Sequence, residues 1–262
     1  MEEIIKAIIL GIVEGLTEFL PVSSTGHLIL AGELLNFTGD RAKTFEVVIQ
    51  FGAVLAVLVL YRQRFAKLLN FNLKKGSGLN AMHVALAMLP ACVLAVVLHG
   101  VIKQYLFGPQ TVLIGLVAGG ILMIVADRSK RQIVSEELDQ ITYKQAFIIG
   151  CFQILSLWPG FSRSGSTISG GILAGTSQKA AAEFTFIVSV PIMAGASTVD
   201  LIGSREFLTM ADLPLFLIGL IAAFVVGMIA VVTFINMMKK LRLSYFAYYR
   251  FALAALFYFI IL

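Results

Sequence analysis

Two short stretches hold nearly all the residues in this chain that could do chemistry. "EGLTEFLPVSSTGH", residues 14–27, sets Glu14, Glu18, Ser23, Ser24, Thr25 and His27 close together. "PGFSRSGST", residues 159–167, sets Arg163 among Ser162, Ser164, Ser166 and Thr167. Glu14 and Glu18 are four apart and so share one helix face. Two such carboxylates suit a divalent cation or a single shared proton. Ser24 is the candidate nucleophile, because Glu18 and His27 could both reach it as bases. Ser23 and Thr25 read equally as ligands or as caps of a helix starting near His27. Arg163 is permanently charged and fork-shaped, which suits two-pronged binding of a phosphate. The hydroxyls and glycines around it let donors approach an anion at a helix N-terminus. An anion site facing acid, base and nucleophile groups points to phosphoryl chemistry.

The chain that must position these groups is oily: 59% hydrophobic and 13% charged, with a mean hydropathy of +0.93. A soluble domain of 262 residues cannot hide so much apolar surface, so the composition implies a polytopic membrane protein and an amphiphilic substrate. The net charge of +5 fits basic loops beside anionic lipid better than nucleic-acid binding. No cleavable signal peptide is expected from the Met-Glu-Glu start. Cys92 and Cys151 lie in apolar segments and read as small packing residues. His83 and His99 read as interfacial, and Trp158 and Phe161 as packing or lipid-touching.

Six segments are expected to cross the membrane, at 45–61, 81–100, 109–126, 182–202, 213–237 and 243–262. Two others, 4–35 and 144–175, are apolar at both ends but broken at Pro21 and Pro159, which predicts re-entrant helical hairpins with polar turns inside the protein. Loop charges agree. Arg62, Arg64, Lys67, Lys74 and Lys75 mark one cytoplasmic loop, and Arg128, Lys130, Arg131 and Lys144 another. Lys239, Lys240 and Arg242 fall on the same side only if 144–175 returns to the face it left. Both termini are then outside.

An offset of 139 residues aligns the first hairpin with the second without a gap. Ala7, Ile9, Gly11, Leu16, Ser23, Gly26, Ile29, Gly32, Leu34, Ala42 and Phe45 fall on Ala146, Ile148, Gly150, Leu155, Ser162, Gly165, Ile168, Gly171, Leu173, Ala181 and Phe184. A single membrane domain built from two repeats, about 1–127 and 144–262, is expected. Each repeat is a hairpin plus three spans, so the repeats must have inverted topology, with their turns meeting near the midplane. Gln153, the counterpart of Glu14, is either a hydrogen-bonding partner across that midline or structural.

The two motifs and the whole length of the chain resemble bacterial undecaprenyl-diphosphate phosphatases, the bacitracin-resistance phosphatase family. The resemblance implies an inner-membrane enzyme that removes the terminal phosphate of undecaprenyl diphosphate, recycling the carrier of cell-wall precursors. It carries the family's functional residues onto Glu14, Glu18, Ser24, His27 and Arg163, with Ser162 and Thr167 in support. It also implies a divalent cation, magnesium or calcium, near Glu14 and Glu18, and a site reached from the periplasmic side. Serine, histidine and water all remain open as the nucleophile, and a homodimer is compatible with this picture. A phosphatidic-acid-type phosphatase fails on residues, since Ser169 stands where that pattern needs histidine. A transporter or flippase of prenyl-phosphate lipid is the alternative, suggested by the inverted repeats.

Overall fold

The computed structural model describes residues 1–69, 78–98, 100, 105–106, 108–203 and 212–262. Among them are eleven α-helices: α1 Glu2–Thr17, α2 Ser24–Leu34, α3 Asp40–Leu60, α4 Arg62–Leu69, α5 Ala81–Val97, α6 Pro109–Arg128, α7 Tyr143–Gln153, α8 Arg163–Leu173, α9 Gln178–Gly203, α10 Leu213–Met237 and α11 Leu243–Ile261. Five of these, α3, α6, α9, α10 and α11, are long and apolar enough to cross a membrane. The sixth expected span, 81–100, is the 17-residue α5, shorter than expected. Part of the basic loop 62–75 is helical, as α4.

Local chemistry explains the helix starts. Asn80 accepts from the Met82 N–H, and His83 Nδ1 accepts from the Asn80 N–H, a reciprocal cap for α5. Thr142 and Gln145 do the same for α7. His83, at the start of α5, is therefore a buried cap with its ring tilted against that of Tyr143. His99 lies outside the described residues. Cys92 and Cys151 are free thiols on the exposed apolar surface, not in the packed interior as expected.

Ion pairs show which helix ends share a face. Arg41 pairs with Glu3 at 3.4 Å and with Asp212 at 2.6 Å, joining the starts of α1, α3 and α10. On another face Arg64 meets Asp139 at 2.7 Å, and Lys179 meets Glu137 at 2.7 Å. There Ser244 also donates to Asp127. The segment α1–α2 thus starts and finishes beside the same face, because α3 begins next to Glu3. The segment α7–α8 likewise returns to its origin, since the Ser177 N–H donates to the Ser135 carbonyl at 2.8 Å.

The two hairpins are each held by helices from the other half of the chain. The α1 helix lies along α10, where Gly11 and Gly15 face the backbone of Gly219, Ala223 and Gly227 so closely that a side chain would strike it. The α7 helix lies along α5 in the same way, with Gly150 against the Ala87 and Leu86 carbonyls. Small residues allow such approach where burial of apolar surface gives little drive between helices. The remaining pairs close the bundle: α3 on α9, and α6 on α11.

Candidate active site

The broken centres of the two hairpins face each other. Residues 18–23 leave the helical path after α1, and α2 restarts at Ser24, three residues earlier than expected. Ser23 is its cap: φ is 70°, and its hydroxyl accepts from the Gly26 N–H at 3.4 Å. Ser162, 139 residues on, repeats this before α8, with φ 74° and a bond from the Gly165 N–H at 3.2 Å. Non-glycine residues at such φ cost roughly 1–3 kcal/mol and cluster at functional sites. Ser24 and Arg163 therefore occupy equivalent positions, each the first residue of a half-helix.

Glu18 joins the two turns. Ser24 Oγ donates to Glu18 Oε2 at 2.6 Å, and Arg163 Nη2 donates to Glu18 Oε1 at 2.7 Å. Arg163 is further fixed by the Thr185 carbonyl at 3.4 Å and by Met193 Sδ at 3.0 Å. A pocket of 160 Å³ opens beside this trio, bordered by Ser23, Thr25 and Ser162 as well. Its other walls are Gln50 from α3, Ser156, Trp158, Pro159 and Gly160 from the second turn, and Ile192 and Met193 from α9.

His27 is not brought to Ser24. Its Nδ1 lies 2.8 Å from the Ser23 carbonyl, which can only accept, so this nitrogen carries a proton. Its Nε2 meets the Tyr249 hydroxyl at 2.7 Å, with the two rings stacked. Ser164, Ser166 and Thr167 are buried and brace the turn instead of lining the pocket. Ser164 donates to the Leu20 carbonyl of the first turn, while Ser166 and Thr167 donate to the Arg163 carbonyl. Gln153 donates to the Ala87 carbonyl, tying α7 to α5, and its own oxygen is without a partner.

Sequence reasoning passed over Arg250, although a lone cation inside "AYYRFALAAL" is a signal for function or interior bracing. It is wholly buried and donates to four carbonyls at 2.8–3.1 Å: Leu116 and Gly115 of α6, and Gly160 and Phe161 of the second turn. Adjacent Tyr249 holds His27, so these two residues of α11 grip both hairpins. Trp158, expected to pack or touch lipid, borders the pocket and donates to the Thr111 carbonyl at 2.8 Å. Gln50, the polar exception in "VVIQFGAVLAV", was also passed over.

Glu14 is fully buried and neither of its carboxyl oxygens has a hydrogen-bond partner. Such an orphan carboxylate one turn from Glu18 suits a hard divalent cation, which binds through one or two carboxylates plus substrate phosphate. No three His, Cys, Asp or Glu residues converge as a cage among the described residues.

The family described as bacitracin resistance protein BacA matches residues 7–256. The chain belongs to this family. Undecaprenyl-diphosphatase 1 of Bacillus anthracis is 55% identical over 259 residues, covering 98% of each chain. The protein of that name from Bacillus cereus (strain ZK / E33L) matches equally, with 55% identity over 98% of both chains. The resemblance carried by the glutamate and arginine stretches thus extends over the whole BacA match, and the two stretches are the parts that the fold brings face to face.

Proposed function

We propose that the chain is a membrane phosphatase that hydrolyses undecaprenyl diphosphate to undecaprenyl phosphate and, as the family name implies, confers resistance to bacitracin. The observation that carries this reading is the Glu18 carboxylate bridging the Ser24 hydroxyl and the Arg163 guanidinium in one pocket. Ser24 Oγ attacks the terminal phosphorus while its proton passes to Glu18. The bond from that phosphorus to the bridging oxygen breaks, and lipid monophosphate leaves. Water then hydrolyses the phosphoserine, with Glu18 now available for the opposite proton transfer. Arg163 and the first N–H groups of α2 and α8 hold the equatorial oxygens, since positioning and electrostatics dominate phosphoryl transfer. His27 acts by fixing the Ser23–Ser24 backbone.

A divalent cation, magnesium or calcium, would be held by Glu14 and Glu18 and would neutralise phosphate charge in a site of low polarity. The wider frame is six membrane-crossing helices plus two re-entrant hairpins, in inverted repeats of about 1–127 and 144–262. The ion pairs that bring each hairpin back to its starting face and the reciprocal packing of α1 on α10 and α7 on α5 support it. Basic loops mark one side as cytoplasmic, and the family resemblance implies a pocket reached from the other, periplasmic face.

The test is phosphate release from undecaprenyl diphosphate by purified Ser24→Ala and Glu18→Gln proteins. Both should lose nearly all turnover while the wild type releases phosphate. Substantial release by Ser24→Ala would replace serine attack with water attack. Absence of release by the folded wild type would sink the phosphatase reading itself.

A further inference from the structure

The two halves are not equally closed, and the difference lies beside the pocket. On one side α3 and α10 meet along most of their length. Gly52 meets the Leu220 carbonyl there, Gly219 meets Phe45 and Ile49, and Gly227 meets Ala53 and Ala56. The equivalent seam, between α9 and α5, is buried only in its first turns, where Phe184, Ile187 and Val188 share a cluster with Val84 and Ala87. Beyond Pro90 in α5 and Pro191 in α9 it opens. The same stripe of α9 continues through Ile192, Gly195 and Val199, with Val199 70% exposed, and among the described residues nothing lies within 4 Å of a Cβ built at Gly195. The counterparts of Ile192 and Gly195 139 residues earlier, Ala53 and Ala56, are 0% exposed, and that of Val199, Leu60, is half-buried. Leu94 and Ala95 of α5 are likewise only partly covered.

This exposed stripe starts at the phosphate pocket. Ile192 borders the pocket and also packs against the α5–α9 cluster. The pocket's helical walls are chemically opposite: α3 contributes the polar Gln50, whereas α9 contributes Ile192 and Met193. An amphiphile anchored by its diphosphate at Arg163 must carry its apolar chain out along the apolar wall.

We infer that the prenyl chain of the substrate leaves the pocket past Ile192 and lies in a lateral slot between α5 and α9, beyond Pro90 and Pro191, on Leu94, Ala95, Gly195 and Val199. The inference rests on the phosphatase reading for the head group and adds the place of the tail. Gly195→Trp fills the slot without touching the machinery. It should raise KM for undecaprenyl diphosphate about tenfold or more, the worth of roughly two buried methylenes, and leave hydrolysis of a C5 prenyl diphosphate unchanged. Ile229→Trp, on the exposed face of α10, should change neither. An unaltered KM for the long substrate in Gly195→Trp would overturn the slot. Should that variant lose both activities through misfolding, a benzophenone side chain at Val199 decides instead. Photolysis with radiolabelled undecaprenyl diphosphate should label protein carrying it at Val199 and not at Ile229; equal labelling, or labelling at Ile229 alone, overturns the proposal. Binding is read here without turnover, so a wild type that hydrolyses neither substrate would fail the phosphatase reading while the label still judges the slot.

Discussion

At the scale of single residues, Glu18 is the junction, since one oxygen accepts from the Ser24 hydroxyl and the other from the Arg163 guanidinium. Arg163→Lys keeps the charge but offers no fork to span phosphate and Glu18 together. It should lose about 2–4 kcal/mol of transition-state stabilisation, read as kcat/KM. Near-wild-type turnover would make Arg163 a structural ion-pair partner only. Both ring nitrogens of His27 are engaged away from Ser24. His27→Gln and Tyr249→Phe should therefore lower turnover through one shared contact, and the double variant should be little worse than the poorer single. The coupling expected for such contacting pairs is about 0.5–3 kcal/mol. Fully additive losses would show that His27 works independently of Tyr249. The identities of Glu18, Ser24 and Arg163 were legible in the sequence because ionisable and hydroxyl residues stand out in an apolar chain. The role of His27 was not, since closeness in sequence says nothing about where a ring turns on a helix. Nor were Ser164, Ser166 and Thr167, whose hydroxyls are consumed by backbone carbonyls that only the folded turn presents.

At the scale of elements, the hairpins were legible from proline and small polar residues interrupting apolar runs, and the 139-residue offset placed Ser23 and Ser162 in register before their shared backbone twist was visible. The α4 helix was not: "RQRFAKLL" reads as loop charge, although its four- and three-residue spacing also makes an amphipathic turn at the end of α3. The bracing by α11 was equally hidden, because the carbonyls that receive Arg250 come from two distant segments. Arg250→Met leaves the Gly160 and Phe161 carbonyls of the turn buried without this donor, at about 1–3 kcal/mol for a strongly desolvated group, while those of Gly115 and Leu116 keep their intrahelical bonds. The variant should unfold in detergent at a lower temperature and lose activity even though it retains every residue of the pocket. Unchanged thermal stability would mean that the second turn holds its shape unaided.

At the scale of the molecule, one clasp lies outside the bilayer-crossing segments and is open to titration. Asp139 is partly buried, which opposes its charge, but bonds from Arg64 and the Leu79 N–H, with the nearby charges of Arg64 and Lys67, hold its pKa below the ordinary 3.8. Because the folded value is the lower one, the clasp stabilises fully above 3.8 and is lost as pH falls through the folded value. Wild type should therefore melt above Asp139→Asn at neutral pH, and the gap should close in acid. A constant gap across that range would assign the effect to packing. Topology has its own check: single cysteines at 130 and 240 should react with an impermeant thiol reagent from the same side, and one at residue 2 from the other. Charge asymmetry in the sequence carries this expectation, whereas the unequal closure of the two seams depends on how prolines and glycines meet across space.

The reciprocal grip of the halves also fixes an order of assembly. The α1 helix packs chiefly on α10, which begins at Leu213 and so is made long after it. Until then Glu14 and Glu18 belong to a hairpin whose first helix, of 16 residues, is too short to cross a bilayer and has no α10 to lie against. Nascent chains halted near residue 200 should leave that hairpin unsettled, with a cysteine in place of the buried Leu10 open to labelling, and release to full length should protect it. The α1 helix cannot take its place before α10 is made, so early quality control of this protein meets an unfinished active site.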